Sequence, residues 1–397
     1  MTQIKHYELG ELADVTKLAG FEFTKYIKYN NCGEIIALRA LNLRHGELDL
    51  TDIKRIDRSV SELLPRSKLY INDILLTYTG NGYGDCAIIE ENDKYHLAPN
   101  ICKIAPNVEK VVPYYLYSYI RTNEFYKIMS SHMTGSSQPT IPMKTIRMLP
   151  IPLPPIVVQE KIAEVAYCIN EKIRKNNAIN KNLEQQAQAI FANEFLSLET
   201  LPEGWKQASL IDIADYLNGL AMQKYRPTAD ESGIPVLKIK ELRQGCCDDN
   251  SELCSPNIKS NYIIHDGDVI FSWSGSLLVD LWCGGICGLN QHLFKVTSSK
   301  YDKWFYYVWT KHHLDRFVAV AADKATTMGH IKRDELAKAE VLIPNKKDYD
   351  RIGALLQPIY EMIISNRIEN KKLAATRDTL LPKLMNGEID ISEVDYE

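Results

Sequence analysis

The 397-residue chain has no apolar run of the ~18–20 residues that a membrane span needs. Its start, MTQIKHYELGEL, has no apolar leader core, so neither a membrane nor an export route is expected. Motifs for chemistry are missing as well. No Gly-Lys-Ser/Thr closes a phosphate loop, and neither His-Glu-x-x-His nor Gly-x-Ser-x-Gly occurs. The Asn/Asp-Pro-Pro-aromatic signature of amino-methyltransferases is absent, since Pro-Pro occurs only in LPPI (153–156). The glycines of GNGYGD (80–85) lack the spacing and the following helix of a dinucleotide fingerprint. Charge of one sign is scarce too: the net charge is −4. Residues 1–150 carry 18 basic and 17 acidic side chains, and residues 201–344 carry 16 and 18. Phosphate contacts would have to come from local clusters: Lys54/Arg55/Arg58, Arg66/Lys68, Lys238/Lys240/Arg243 and Lys332/Arg333. Each could equally be a solvated face.

What is present describes a globular chain of two to four domains, with 45% hydrophobic and 25% charged residues. Nine cysteines, odd in number and irregularly spaced, suit reduced thiols in the cytoplasm. Cys246, Cys247, Cys254, Cys283 and Cys287, with His292, invite a zinc reading. Their spacing matches no common finger and the first half has no counterparts, so partly buried thiols are expected and no metal. The His312–His313 pair reads as surface rather than ligand. PYYLYSYI (113–120) and KWFYYVW (303–309) could stack on bases, but their helical spacing favours core.

The chain repeats itself. ALRALNLRHG (37–46) resembles VLKIKELRQG (236–245), and NDILLTYTG (72–80) resembles GDVIFSWSG (267–275). LAPNICKI (97–104) matches LNQHLFKV (289–296), and IPMKTIRMLPIPLP (141–154) matches IKRDELAKAEVLIP (331–344). The TYTG and SWSG segments read as half-buried strands ending in a glycine turn. The offset falls from 199 at the first block to 190 at the last, too long a period for a solenoid, and reads as a tandem duplication. Each half ends in a long helix, the first after PIPLPP (150–155) and the second after LIPN (342–345), since proline suits helix starts.

The first helix has an apolar seam broken by amides: Ile162, Ala166, Ile169, Ile173, Asn176, Asn180, Leu183, Ala187 and Ile190. The second repeats it with Ile352, Leu356, Ile359, Ile363, Asn366, Asn370, Leu373, Arg377 and Leu380. Packed antiparallel, the helices would bring Asn176 to Asn370 and Asn180 to Asn366, so that a slip of one heptad strands amides against Ile or Leu. About 38 residues at ~1.5 Å each make a rod of roughly 55 Å, a caliper for two heads on DNA. An exposed amide-rich face is the plainer alternative.

These features resemble the specificity subunit of type I restriction–modification systems. The resemblance rests on the duplication, on LPEGW (201–205), on the QEKI helix start (159–162) and on the ending TLLPKLMNGEID (379–390). It departs at KDYDRI, which stands where the first helix has VQEKI, and at Arg377, which replaces Ala187. The resemblance implies an α+β chain with two tandem α/β target-recognition domains. Two long helices separate them as an antiparallel coiled coil with pseudo-twofold symmetry. The expected bounds are 1–154 and 200–344 for the recognition domains, 155–199 for the central helix and 345–397 for the C-terminal helix and tail. The implied function is non-catalytic reading of a bipartite, asymmetric site on double-stranded DNA. Two modification subunits would dock on the helices and bind S-adenosylmethionine, with restriction subunits as further partners; the chain itself needs no cofactor. A coiled-coil scaffold for proteins is the alternative, and an enzyme with an unrecognised site is a third.

The two halves share strands and glycines but differ at most polar positions, which predicts one scaffold with two readers. Base-edge contacts are expected at the polar turns. In the first half these are Arg44, Thr77, Tyr78, Thr79, Ser136, Ser137 and Gln138. In the second they are Lys238, Lys240, Arg243, Ser272, Trp273, Ser274, Gln291, His292, Lys324, Thr326, Thr327, Lys332 and Arg333. Strand capping is the alternative role for Thr77/Tyr78 and Ser272/Trp273, and an internal turn contact for Arg44/Arg243.

Overall fold

A computed structural model describes residues 4–44, 46–80, 82–135, 139–323 and 333–391. The chain forms two units, Met1–Lys172 with Leu373–Glu397, and Ile173–Lys372.

The first unit is built on an antiparallel sheet of β1 (Ala13–Lys17), β2 (Ile74–Thr77), β3 (Cys86–Ile88) and β4 (Ile101–Pro106), in the order β1-β4-β2-β3. In a second sheet, Ile35–Leu38 runs antiparallel to Lys54–Ile56 and parallel to Tyr95–Leu97. A ribbon of Lys5–Glu8 with Pro150–Leu153 brings the two ends of the globule together. Two-stranded ribbons tolerate prolines, because a missing N–H can face outward.

The long helix α1 (Ile156–Phe191) leads into the second unit. There β5 (Asp215–Asn218), β6 (Val269–Ser272), β7 (Leu278–Leu281) and β8 (Leu293–Thr297) lie in the order β5-β8-β6-β7. Ile234–Leu237 again runs parallel to a late strand, Cys287–Leu289, and antiparallel to Leu253–Cys254. Lys206–Ser209 pairs with Glu340–Ile343 as the closing ribbon, and α2 (Lys346–Met385) follows. The α+β duplication expected from the sequence therefore recurs in the main sheet, the closing ribbon and the parallel strand pair of each unit.

The half-buried reading of the TYTG and SWSG strands fails. β2 and β6 are buried along their whole length, because apolar cores cover both faces of each sheet. Ile74 and Leu76 join a core with Tyr115, Leu116 and Phe125, while Leu75 enters a second core with Ile35 and Leu97. Likewise Val269 and Phe271 meet Trp304 and Phe305, and Ile270 meets Leu237 and Leu289. The aromatic helices Pro113–Ile120 and Lys303–His312 supply much of this filling.

Each unit also repeats a lysine–aspartate pair. Lys103 Nζ lies 3.9 Å from Asp73 and donates to the Lys68 carbonyl at 3.0 Å. Lys295 Nζ lies 2.8 Å from Asp268 and donates to the Ile263 carbonyl at 3.1 Å. Burial raises the Asp73 pKa, against the opposing pull of the Tyr70 N–H and Lys103. His312 is exposed but His313 is buried, with its Nε2 2.7 Å from the Glu340 carbonyl, so the surface reading holds for only one of the pair.

In both units parts of α1 and α2 pack on the core. Ile162 and Ala166 join Leu381, Leu384 and Met385 in the first, and Ala187 and Phe191 join Ile352, Leu356 and Ile363 in the second. Every seam position named above is buried or half-buried. Pro358 and Pro382 lie inside α2, where each lacks a helical N–H. Flanking Leu356, Tyr360 and Ile363 are buried, and this packing holds the helix through Pro358. Among the described residues no helix is long and apolar enough to cross a membrane.

Candidate nucleic-acid interface

The polar turns sit where strands of each main sheet end. In the first unit β2 runs into Tyr78, Thr79 and Gly80, and Gly80 takes a positive φ of 85° that turns the chain. The Tyr78 N–H donates to the Asn100 carbonyl at 3.3 Å, and the Ile141 N–H donates to the Tyr78 carbonyl at 3.0 Å. Thr79 Oγ1 lies 2.6 Å from Thr140 Oγ1, and the Gly80 N–H reaches the Pro139 carbonyl at 2.9 Å. The turn is thereby clasped to Pro139, Thr140 and Ile141. Lys17, the last residue of β1, holds its ammonium 5.2 Å from the centre of the Tyr78 ring. Burial pushes the Tyr78 phenol above its ordinary pKa.

The second unit uses the same frame with other side chains. The Trp273 N–H donates to the His292 carbonyl at 3.4 Å, and Gly275 turns the chain at φ 64°. Trp273 Nε1 donates to Asn218 Oδ1 at 3.0 Å, and the indole stacks on Phe294 with ring centres 5.5 Å apart. His292 Nδ1 lies 3.1 Å from Ser274 Oγ, and its Nε2 lies 3.3 Å from Gln291 Nε2. A Cβ on Gly275 would lie 3.8 Å from Ile239, so the start of helix Ile239–Gln244 abuts this turn.

Tyr78, Thr79, Trp273, Ser274, Gln291 and His292 are therefore gathered at sheet ends. Not all of them present their polar atoms. Thr77 and Ser272 are fully buried: the Thr77 hydroxyl has no partner among the described residues, and Ser272 Oγ donates to the Ser276 carbonyl at 2.8 Å. These two are corrected to internal positions, because both faces of their strands are covered. Thr79 and Ser274 are also buried, at 8% and 2% exposure, and serve the turn through the contacts above.

The basic candidates are mostly neutralised locally. Arg44 Nε is 3.6 Å from Asp49, Lys238 pairs with Glu252, and Lys240 is 3.2 Å from Asp248. Hydrogen bonds from Lys238 and Lys240 hold Glu252 and Asp248 below the usual carboxylate range. Arg243 is exposed in the last turn of its helix. Arg333 Nη2 donates to the Tyr216 carbonyl at 3.2 Å, just as Arg147 Nη2 reaches the Val15 carbonyl at 2.6 Å. Ser136, Ser137, Gln138, Lys324, Thr326, Thr327 and Lys332 lie outside the described residues.

Sequence reading missed Lys17, Asn218 and Asn100. The signal existed: ADVTK (13–17) and ADYLN (214–218) align on Ala-Asp, upstream of the first repeat block recognised. The seam amides lie within the second unit. Asn176 Nδ2 donates to Asn370 Oδ1 at 2.8 Å and to Glu369 Oε2 at 2.7 Å. Asn366 Nδ2 donates to Asn180 Oδ1 at 2.9 Å, and Asn370 Nδ2 donates to Asn177 Oδ1 at 2.8 Å. Rising numbers on α1 meet falling numbers on α2, so the helices run antiparallel there. Among the described residues no three His, Cys, Asp or Glu side chains gather in a way that could hold a metal ion.

The family model described as type I restriction modification DNA specificity domain matches residues 1–188 and 202–375. The chain belongs to this family. Two copies of the family domain thus cover both repeats. The type I restriction enzyme MjaIX specificity subunit of Methanocaldococcus jannaschii is 26% identical over 309 residues, covering 72% of this chain and 71% of that protein. The HindI specificity subunit of Haemophilus influenzae is 20% identical, covering 98% of this chain and 100% of its own length. In fold, the chain is similar to the type I restriction–modification S subunit from M. genitalium, with a TM-score of 0.58 at 12% identity and 96% coverage of both chains.

Proposed function

We propose that the chain is the DNA sequence-recognition subunit of a type I restriction–modification complex. Each unit reads one half of a bipartite, asymmetric site. The observation that carries this is the pair of family domains in one chain, with one strand order and different side chains at the same turns. A reader of two unlike half-sites needs that combination: a repeated frame for docking, and unlike groups for base edges.

Chemistry then belongs to partners. Modification subunits that bind S-adenosylmethionine dock on the long helices, restriction subunits join them, and the assembly works in the cytoplasm. The chain lacks the phosphate-loop, zinc-hydrolase and amino-methyltransferase motifs. With local ion pairs neutralising much of the basic surface, affinity depends on the assembled complex rather than on a broad positive field.

The test is methylation mapping on DNA with the chain and its modification subunits, together and apart. The complex should modify one sequence made of two unlike parts, and the chain alone should modify nothing. Methylation by the chain alone, or a complex indifferent to sequence, would refute the proposal.

A further inference from the structure

The registers of the two sheets can be matched residue by residue through their lysines. In the first unit β1 places Lys17 opposite Cys102, one residue before Lys103, and β2 places Leu76 opposite that same Cys102. In the second, β5 places Asn218 opposite Phe294, one residue before Lys295, and β6 places Phe271 opposite that same Phe294. Lys17 and Asn218 therefore hold one position of the frame, and Tyr78 and Trp273, each two residues further along, hold another. Both aromatic residues donate their N–H to the carbonyl of the residue just before β4 or β8, Asn100 or His292. The backbone is the same; the side chains differ.

At the shared positions each unit pairs a nitrogen donor with a half-exposed ring. Lys17 is exposed and carries an ammonium beside Tyr78. Asn218 is exposed and its Oδ1 accepts the indole Nε1–H of Trp273, so its amide turns donor-side out, with no partner for Nδ2 among the described residues. A charged donor of this kind suits guanine O6 and N7, whereas a neutral amide N–H suits a different acceptor set. Ring faces beside them can pack on thymine methyls.

We propose that these two positions, Lys17/Tyr78 in the first unit and Asn218/Trp273 in the second, are specificity-determining base contacts of the two readers. The inference rests on the DNA-reading function proposed above and adds which side chains make the two half-sites unlike.

The experiment exchanges the positions in the intact chain, assembled with its modification subunits, and maps the methylated sequence. Lys17→Asn with Tyr78→Trp should alter one half of the target and leave the other unchanged. Asn218→Lys with Trp273→Tyr should do the reverse. Preference for the original base should fall roughly tenfold at the affected position. The single exchanges Lys17→Asn and Asn218→Lys touch only exposed side chains and keep the test open if a ring exchange disturbs folding. Wild-type target sequences from both single variants, at wild-type rates, would overturn the inference while leaving the function standing. A wild-type complex with no bipartite target would remove the function itself.

Discussion

The amide pair Asn180–Asn366 gives a stability prediction that can be worked from geometry. Both side chains are buried, at 6% and 8% exposure, and Asn366 Nδ2 donates to Asn180 Oδ1 at 2.9 Å. The remaining donor, Asn180 Nδ2, reaches the Ile363 carbonyl only at 3.5 Å. Changing either residue to Leu leaves the other amide buried without its partner, at a cost of about 1–3 kcal/mol. The new Leu returns about 2 kcal/mol of burial, so each single variant should lie within about 1 kcal/mol of the parent in either direction. Asn180→Leu with Asn366→Leu removes both polar groups together and leaves none stranded. In a double-mutant cycle the burial gains cancel, and the double variant should exceed the sum of the singles by both stranding costs together, about 2–6 kcal/mol. Denaturant unfolding of the intact chain provides the four stabilities. Additivity within about 0.5 kcal/mol would refute the idea that the two amides satisfy each other.

Other consequences concern charge, backbone and protons. Lys103→Met should cost about 3–5 kcal/mol at neutral pH, because Asp73 stays buried without its cation. The deficit should shrink as pH falls through the raised Asp73 pKa, since protonation removes the stranded charge; unfolding at pH 7 and pH 5 checks both parts. Pro358→Ala should stabilise the chain by up to about 3 kcal/mol, read as a higher denaturant midpoint, because the helix regains an N–H at a site that already has helical geometry. His96 is fully buried, with Nδ1 2.8 Å from the Leu97 carbonyl and Nε2 without a partner among the described residues. Burial lowers its pKa, so the folded chain keeps it neutral while the unfolded chain protonates near the ordinary ~6.5. Stability should therefore drop as pH falls from about 6.5 toward the lowered folded value, and His96→Leu should flatten that slope in pH-dependent melting.

The duplication was legible because it leaves matched strings: NDILLTYTG against GDVIFSWSG, and two helices with amides at the same places. The proline cluster PIPLPP and the single proline of LIPN marked the starts of the long helices, which begin at Ile156 and Lys346. Period-two reading failed at Thr77 and Ser272 because it assumes one wet face, whereas each main sheet is covered on both. The proline rule did not anticipate Pro358 and Pro382 inside α2, where packing outweighs a lost hydrogen bond. His313 was misjudged for a similar reason: a polar side chain can be buried once a carbonyl, here that of Glu340, receives it. The basic groups looked available in sequence, but the fold pairs Arg44 with Asp49, Lys238 with Glu252 and Lys240 with Asp248. Lys17 and Asn218 were passed over because only Ala-Asp is shared between ADVTK and ADYLN, too short a match to stand out without the strand register.

One frame carrying two independent readers is the central claim, and exchange of a whole reader tests it most directly. Residues 1–150 would be replaced by the corresponding unit of a family member with a different target, and the methylated sequence of the assembled complex would be mapped. One half of the site should change to the donor's and the other should persist. A site changed in both halves, or in neither, would contradict the account.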